Sequence, residues 1–202
     1  MILQVTTETV RQFIEKVSDQ QVSMAGAVIA VAAAQAAALG EACMQISLDH
    51  QVDQLDWQDV TARIEQMVHL KNSLLEWCDQ DAAATIDYAT VRNTADVRRV
   101  RQLLCDSPVE IGRLALEAAQ QLQDFRPLVF AQVQDDLELA LHLLVSTARA
   151  AQLLLASHLR QWPDPALLAK FEPLLLDLET KIGQLSPVQR IWTGRDSSMS
   201  LS

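Results

Sequence analysis

Residues 23 to 47 read SMAGAVIAVAAAQAAALGEACMQIS, and almost every side chain in this stretch is small and apolar. The stretch approaches the length of a membrane-spanning helix, which needs about 20 strongly apolar residues. However, Gln35 interrupts it, Glu41 follows soon after, and alanine contributes little hydrophobic transfer energy. Small residues on all sides suit burial among other helices, because the backbones can approach closely. We therefore predict the central helix of a soluble bundle, without a membrane partner.

The composition also favours a helical core and excludes several classes of partner. Hydrophobic residues make up 50% of the chain and charged residues 21%, which is typical of a globular protein and not of a disordered one. Only 5 glycines and 6 prolines interrupt 202 residues, so the helices are expected to be long. A net charge of -10 repels phosphate backbones, so we expect no nucleic-acid partner and no binding to anionic membranes.

Helical periodicity extends over the rest of the chain, and no alternating strand pattern occurs. The pattern predicts helices over residues 6–17, 22–48, 57–91, 95–105, 108–123, 128–159 and 166–185, with Asp56 as a cap and Asp106-Ser107-Pro108 as a helix start. We predict an all-α bundle of long antiparallel helices in one domain, residues 1–185, followed by a polar, flexible tail, residues 186–202. Because several helices are apolar on two sides, a homodimer is expected.

The cysteines and histidines give few further signals. Cys43, Cys78 and Cys105 are odd in number and far apart, which favours core positions and a reducing cytoplasm and argues against disulfides. Glu138 and His142 stand four residues apart, as an acid–base pair would, but no further ligand is near and no metal site is predicted. The remaining histidines, including His158, are interpreted as surface or satisfied helix residues. The tryptophans are too scattered to predict a stacking platform.

Four stretches, in this order, resemble the cyclodeaminase/cyclohydrolase family, which covers formiminotetrahydrofolate cyclodeaminases and methenyltetrahydrofolate cyclohydrolases. They are the turn Ser23-Met24-Ala25-Gly26-Ala27 before the alanine-rich helix, Asp79-Gln80-Asp81-Ala82-Ala83-Ala84, Pro108-Val109-Glu110, and Val133-Gln134-Asp135-Asp136 with Ala140. The resemblance spans residues 7–179. It implies an all-helical fold and acid–base chemistry on a tetrahydrofolate derivative, with no tightly bound cofactor.

The resemblance also implies a set of site residues. The implied catalytic carboxylates are Asp79, Asp81 and Asp136. The implied ligand-binding residues are Ser23, Met24, Ala25, Gly26, Ala27 and Asp135. The alternative for the first two acids is a solvated or hydrogen-bonded carboxylate on a long helix. For Asp135 and Asp136 it is a helix cap that interacts with the helix dipole.

Departures from the family pattern shape the functional prediction. Gly26 alone remains of three glycines, which would let backbone approach a ligand, and Met24 and Ala25 are expected to close that space. The family lysine is missing from residues 49–51, and two asparagines correspond to Leu153 and Ser157. We therefore predict a divergent member with weak or no family activity that acts by binding. An unknown partner with a basic surface would suit the acidic chain. The alternative is an active folate one-carbon enzyme whose carboxylates act at a dimer pocket.

Overall fold

The computed structural model describes residues 4–19, 23–50 and 56–188, and every regular element within them is a helix. The all-α prediction is thus confirmed. Six α-helices follow in order: α1 (Val10–Asp19), α2 (Ala25–His50), α3 (Trp57–Val91), α4 (Val97–Phe125), α5 (Gln134–Gln161) and α6 (Pro165–Gln184). Short 3₁₀ turns lie at Val5–Thr7, Arg126–Leu128 and Ala131–Val133. Most of the predicted tail, residues 189–202, lies outside the described residues.

The alanine-rich helix α2 is central, as its sequence predicts. It packs against α3 on one side and α5 on another, with α4 across from it. The alanines at positions 30, 33, 36 and 37 are fully or almost fully buried. A Cβ atom at Gly40 would lie 2.6 Å from Leu122 Cδ2, so the glycine allows α2 and α4 to approach closely. Small side chains therefore let three neighbouring helices share one tightly packed core.

The predicted break before Pro108 is wrong, because α4 runs without interruption from Val97 to Phe125. Proline within a helix costs about 3 kcal/mol or more by removing a backbone donor and crowding the preceding turn. Here the helix on both sides of Pro108 is buried, from Val100 and Leu104 to Ile111 and beyond. Tertiary packing of that apolar face holds the helix together across the proline.

Capping residues position the other helices. Asp56 accepts backbone hydrogen bonds from Gln58 and Asp59 at the start of α3, as predicted. Asp164 does the same for Ala166 and Leu167 at the start of α6. The first helix begins at Val10 and not at residue 6, since residues 5–7 form a 3₁₀ turn.

Two helical segments have the length and hydropathy of membrane spans, Ala25–His50 and Ala131–Gln161. Both contribute to the bundle core. About half of the most apolar stretch of each is buried there, 50% in the first segment and 44% in the second. Their remaining surface includes exposed apolar residues such as Val28, Leu143 and Leu153.

The core consists of two clusters. The larger one joins α2, α3, α4 and α5 along most of the bundle. The smaller one lies near the α3–α4 connection and includes Leu104, Cys105, Leu159, Trp162 and Phe171. Side chains from the smaller cluster, together with the first turn of α2, border the cavity described next.

Candidate functional site

A buried carboxylate lies against the first turn of the central helix. Asp81, on α3, is only 2% exposed. Its Oδ2 accepts a hydrogen bond from the Ala27 backbone N–H at 2.9 Å, and its Oδ1 accepts one from the Ser107 hydroxyl on α4 at 2.8 Å. Burial raises the pKa of Asp81, and the two hydrogen bonds oppose this rise. The carboxyl group is thus joined to three helices and has no cationic partner among the described residues.

Gly26 explains why a single glycine remains in this turn. A Cβ atom there would lie 2.2 Å from Asp81 Oδ1, which is closer than any real contact. Glycine is therefore required for the carboxylate to reach the Ala27 N–H. Of the two residues expected to close the space, Met24 is buried in the larger core cluster and does not line the cavity, whereas Ala25 does.

A cavity of about 220 Å³ opens beside this carboxylate. It lies between the start of α2, the middle of α3, α4 and the end of α5. We call it the Asp81 cavity. Its lining side chains are partly polar and partly aromatic; they are Ser23, Ala25, Gly26, Asp81, Thr85, Tyr88, Leu104, Leu154, His158, Gln161 and Trp162. The structure thereby brings Asp81 together with Ser23, Ala25 and Gly26, four of the predicted site residues.

The wall of the cavity that α5 supplies is aromatic. The His158 imidazole stacks on the Trp162 ring with 4.8 Å between centroids and 22° between planes. The Tyr88 ring on α3 is tilted against the Trp162 ring, with 5.1 Å between centroids and 52° between planes. His158 Nδ1 lies 2.9 Å from the Leu104 carbonyl oxygen. Burial lowers the pKa of His158, while its hydrogen bond to Leu104 acts in the opposite direction.

Sequence reasoning missed His158 and Trp162 as residues of this site. The available signal was their spacing of four, which places two ring side chains on one face of a helix. We interpret His158 from the sequence as a surface or satisfied helix residue, and its partner in the structure is the Leu104 carbonyl, which belongs to α4. Nothing in the sequence alone places α4 beside this part of α5.

Asp79 faces a different part of the molecule. Its oxygens accept hydrogen bonds from the Thr6 N–H at 3.0 Å and from the Thr6 hydroxyl at 2.7 Å. It does not line the Asp81 cavity. Residues two positions apart on an α-helix differ by about 200° of rotation about its axis. The side chains of Asp79 and Asp81 therefore point to nearly opposite sides of α3. This geometry matches the alternative reading of a hydrogen-bonded structural acid.

Asp135 and Asp136 lie near the opposite end of the bundle. Both are exposed in the first turn of α5, where their charge is favourable to the helix dipole, but neither caps a backbone N–H. Asp136 is close enough to Cys43 to help burial raise the pKa of that thiol to about 11. Cys43 lies 16 residues beyond Ala27 on α2, which is about 24 Å at 1.5 Å per residue. One chain therefore does not bring Asp136 and Asp81 together.

The alternative acid–base pair is also divided. The buried Glu138 carboxylate forms an ion pair with Arg126 and accepts a hydrogen bond from the Val188 N–H. His142 bonds instead to the Val188 carbonyl oxygen. Glu138 and His142 thus hold the segment that follows α6, and neither approaches the Asp81 cavity.

Nucleophilic and metal chemistry receive no support from the described residues. Burial raises the pKa of Cys78 and of Cys105 to about 12, so neither thiol forms an available thiolate. No three His, Cys, Asp or Glu side chains in the described part of the chain are arranged to hold a metal ion. The ionisable side chains that line this cavity are Asp81, Tyr88 and His158.

Comparison with known proteins identifies the family. The model of the formiminotransferase-cyclodeaminase family matches residues 9–173. The fold resembles a crystal structure of formiminotetrahydrofolate cyclodeaminase from Thermotoga maritima with a TM-score of 0.81, 16% identity, and coverage of 89% of this chain and 92% of that one. No curated protein sequence matches the chain. Since the family model matches well over half of the chain, this protein belongs to the formiminotransferase-cyclodeaminase family.

Proposed function

We propose that this protein binds a tetrahydrofolate derivative in the Asp81 cavity and acts on its one-carbon group by acid–base chemistry. Membership of the family supports the ligand class, because the fold relative is named for formiminotetrahydrofolate. The observation that carries the proposal is the open space beside Gly26, where a buried carboxyl group and an imidazole line one cavity. This space favours the active enzyme over the prediction of a closed turn.

The size of the cavity indicates which part of the ligand enters it. Sites for small molecules usually enclose about 300–1,000 Å³. A volume of about 220 Å³ holds a compact ring portion with its one-carbon group, and the remainder of a folate extends outside. Tyr88, which lines the cavity and is partly exposed, offers a flat apolar surface for a planar ring.

Asp81 is suited to proton transfer because burial raises its pKa above that of a free aspartate. Closing or opening a one-carbon bridge moves protons on and off nitrogen or oxygen atoms. A general acid or base works best when its pKa is near the working pH. The Ser107 hydroxyl can rotate to donate to the carboxylate or to accept from the carboxylic acid, so both protonation states keep a partner.

The test is turnover of formimino- and methenyltetrahydrofolate, followed by the absorbance of the methenyl group. Asp81→Asn keeps the shape and the hydrogen bonds but removes the titrating group. We expect its rate to fall at least about 100-fold, a typical contribution of acid–base catalysis. Asp79→Asn, two residues away on another face, is the matched control and should retain most activity. Equal rates for the two variants would contradict the assignment of Asp81.

A second candidate is a protein that binds folate without converting it. It is favoured by Leu153, which is 65% exposed where the family has a polar residue, and by the absence of a lysine near residues 49–51. Under this candidate the wild-type protein binds 5-formyltetrahydrofolate but shows no turnover of either substrate. Binding with measurable turnover would exclude it.

We also propose the homodimer. Helix α1 has no buried residue, and a largely apolar groove of about 510 Å³ runs between it, α2 and α3. Val10, Ile14 and Val28 line this groove and are 64%, 58% and 40% exposed. Val28→Glu should convert a dimer into a monomer in light scattering, whereas Leu176→Glu on α6 should not. A monomeric wild-type protein would overturn the homodimer and direct attention to a different protein partner.

A further inference from the structure

The proline inside α4 leaves one carbonyl group without its usual partner. In an α-helix the N–H of residue 108 would bond to the carbonyl of residue 104, but proline has no N–H. Leu104 is a buried core residue, so its carbonyl oxygen is shielded from most of the solvent. Buried backbone acceptors are nearly always satisfied by another donor. Here the donor is His158, whose Nδ1 lies 2.9 Å away.

This contact fixes the tautomer of the imidazole. A carbonyl oxygen only accepts hydrogen bonds, so the proton of a neutral His158 must reside on Nδ1. The other ring nitrogen, Nε2, then carries a free lone pair. Stacking on Trp162 holds the ring plane, with 4.8 Å between the centroids. Pro108 and Leu104 therefore determine both the orientation and the protonation of this side chain.

The free nitrogen belongs to a side chain that lines the cavity, and it is not sealed within the protein. Nε2 of His158 makes no hydrogen bond to any other described residue. Three side-chain polar atoms of the described residues are fully buried without a hydrogen-bond partner: Glu8 Oε2, Thr61 Oγ1 and Arg101 Nε. Nε2 of His158 is not one of them, so it is not fully buried. His158 lines the Asp81 cavity. An unpartnered acceptor on a side chain that lines a cavity is available to a ligand.

We propose that Pro108, acting through the Leu104 carbonyl, sets His158 Nε2 as the proton acceptor of the Asp81 cavity for a ligand nitrogen that carries a proton. This inference rests on the proposed function and assigns one of its steps. The titratable groups that line the cavity with the imidazole are Asp81 and Tyr88 on α3. The Arg101 guanidinium on α4 lies 5.5 Å from the centroid of the Trp162 ring on which the imidazole stacks. Burial lowers the pKa of His158 and so favours the neutral imidazole.

The step balances without any further reactant. In a cyclodeamination, one folate nitrogen carries the protonated formimino group. A second folate nitrogen, which still bears a proton, attacks the formimino carbon and forms a new carbon–nitrogen bond. His158 Nε2 takes the proton that this nitrogen loses. The resulting imidazolium returns the same proton to the departing amino group as its carbon–nitrogen bond breaks, and ammonia leaves. His158 is then the proposed catalytic residue, and Pro108 and Leu104 are positioning residues.

Nitrogen NMR of the histidine rings tests the tautomer without any folate. His158→Gln identifies the wild-type signal, which we expect to show a proton on Nδ1. Pro108→Ala restores a helix N–H to Leu104, so His158 should shift towards the form protonated on Nε2. Pro173→Ala is the matched control, because it also removes a proline from a helix interior but lies on α6. A wild-type ring protonated on Nε2, or an unchanged ring in Pro108→Ala, would overturn the inference.

Turnover separates this inference from the proposed function. Below the pKa of His158 the imidazole already carries a proton on Nε2 and cannot accept another from the ligand. The wild-type rate should therefore fall as the pH decreases. His158→Gln should lower the rate about 100-fold and remove this acid limb. Pro108→Ala should lower the rate several-fold with folding intact. Loss of turnover in Asp81→Asn alone, with His158→Gln unaffected, would keep the proposed function and reject the role of His158. No turnover in the wild type would reject both.

Discussion

Two buried acids lie near opposite ends of the bundle, and their partners differ. Glu138 is 3% exposed and forms an ion pair with Arg126, which also donates to the Ser186 carbonyl. Asp81 is 2% exposed, and its partners among the described residues are the neutral Ala27 N–H and Ser107 hydroxyl, beside an open cavity. A buried charge next to a fixed cation serves structure, whereas a buried acid without one is free to change its proton.

Removing the Arg126 cation beside Glu138 should produce the largest effect on stability. Arg126→Met keeps most of the aliphatic stem but leaves the Glu138 charge buried and unpaired. We expect a loss of about 3 kcal/mol in the free energy of unfolding, as for other broken buried pairs. Urea denaturation measures it. Lys181→Met removes an exposed i,i+4 pair with Asp177 and should change stability by less than about 0.5 kcal/mol. Equal losses would remove the distinction between the two kinds of pair.

The cavity end should be sensitive to a single methyl group. Gly26→Ala places a Cβ against the Asp81 carboxylate, so the acid or the helix must move. We expect a destabilisation of about 1–3 kcal/mol, typical of overpacking, together with weaker folate binding. Gly183→Ala is the matched control, because no atom lies within 4 Å of the added Cβ. It should stabilise α6 by up to about 1 kcal/mol. If both variants were stabilising, the close approach of Gly26 and Asp81 would be wrong.

The pH dependence of stability should reveal the raised pKa of Asp81. The folded state binds the proton more tightly than the unfolded state, so this group stabilises the fold at low pH. That contribution is lost as the pH rises from about 4 through the folded pKa. It amounts to about 1.4 kcal/mol for each unit by which the pKa is raised. Asp81→Asn has no such dependence.

The measurement is the difference in unfolding free energy between wild type and Asp81→Asn from pH 4 to pH 8. As the pH increases, the wild type should lose stability relative to Asp81→Asn. Asp87→Asn, an exposed acid on the same helix, corrects for the loss of one negative charge. A difference that stays constant over this range would show that burial does not perturb Asp81.

The sequence predicts the elements whose signals are local. The alanine pattern defines α2, and Asp56 marks the start of α3 where the structure has it. Asp81 could be predicted because the motif around it resembles a family. The break at Pro108 was wrong because a local start signal was outweighed by packing of the buried face of α4.

What could not be predicted depends on contacts between distant helices. His158 acquires its meaning from the Leu104 carbonyl, 54 residues earlier in the chain. Asp79 and Asp81 look equivalent in the sequence, and only the packing of α3 shows that one holds Thr6 and the other borders a cavity. Asp136 remains a prediction that requires a second copy of the chain, since in one chain it lies far from the Asp81 cavity.

The most direct test of the central claim is isothermal titration of the wild type, Asp79→Asn and Asp81→Asn with 5-formyltetrahydrofolate. If the Asp81 cavity is the folate site, the wild type and Asp79→Asn should bind with similar micromolar affinity, and Asp81→Asn should bind at least about tenfold more weakly, a loss of about 1.4 kcal/mol. Equal binding by both variants, or no binding by the wild type at millimolar ligand, would contradict the assignment of this cavity.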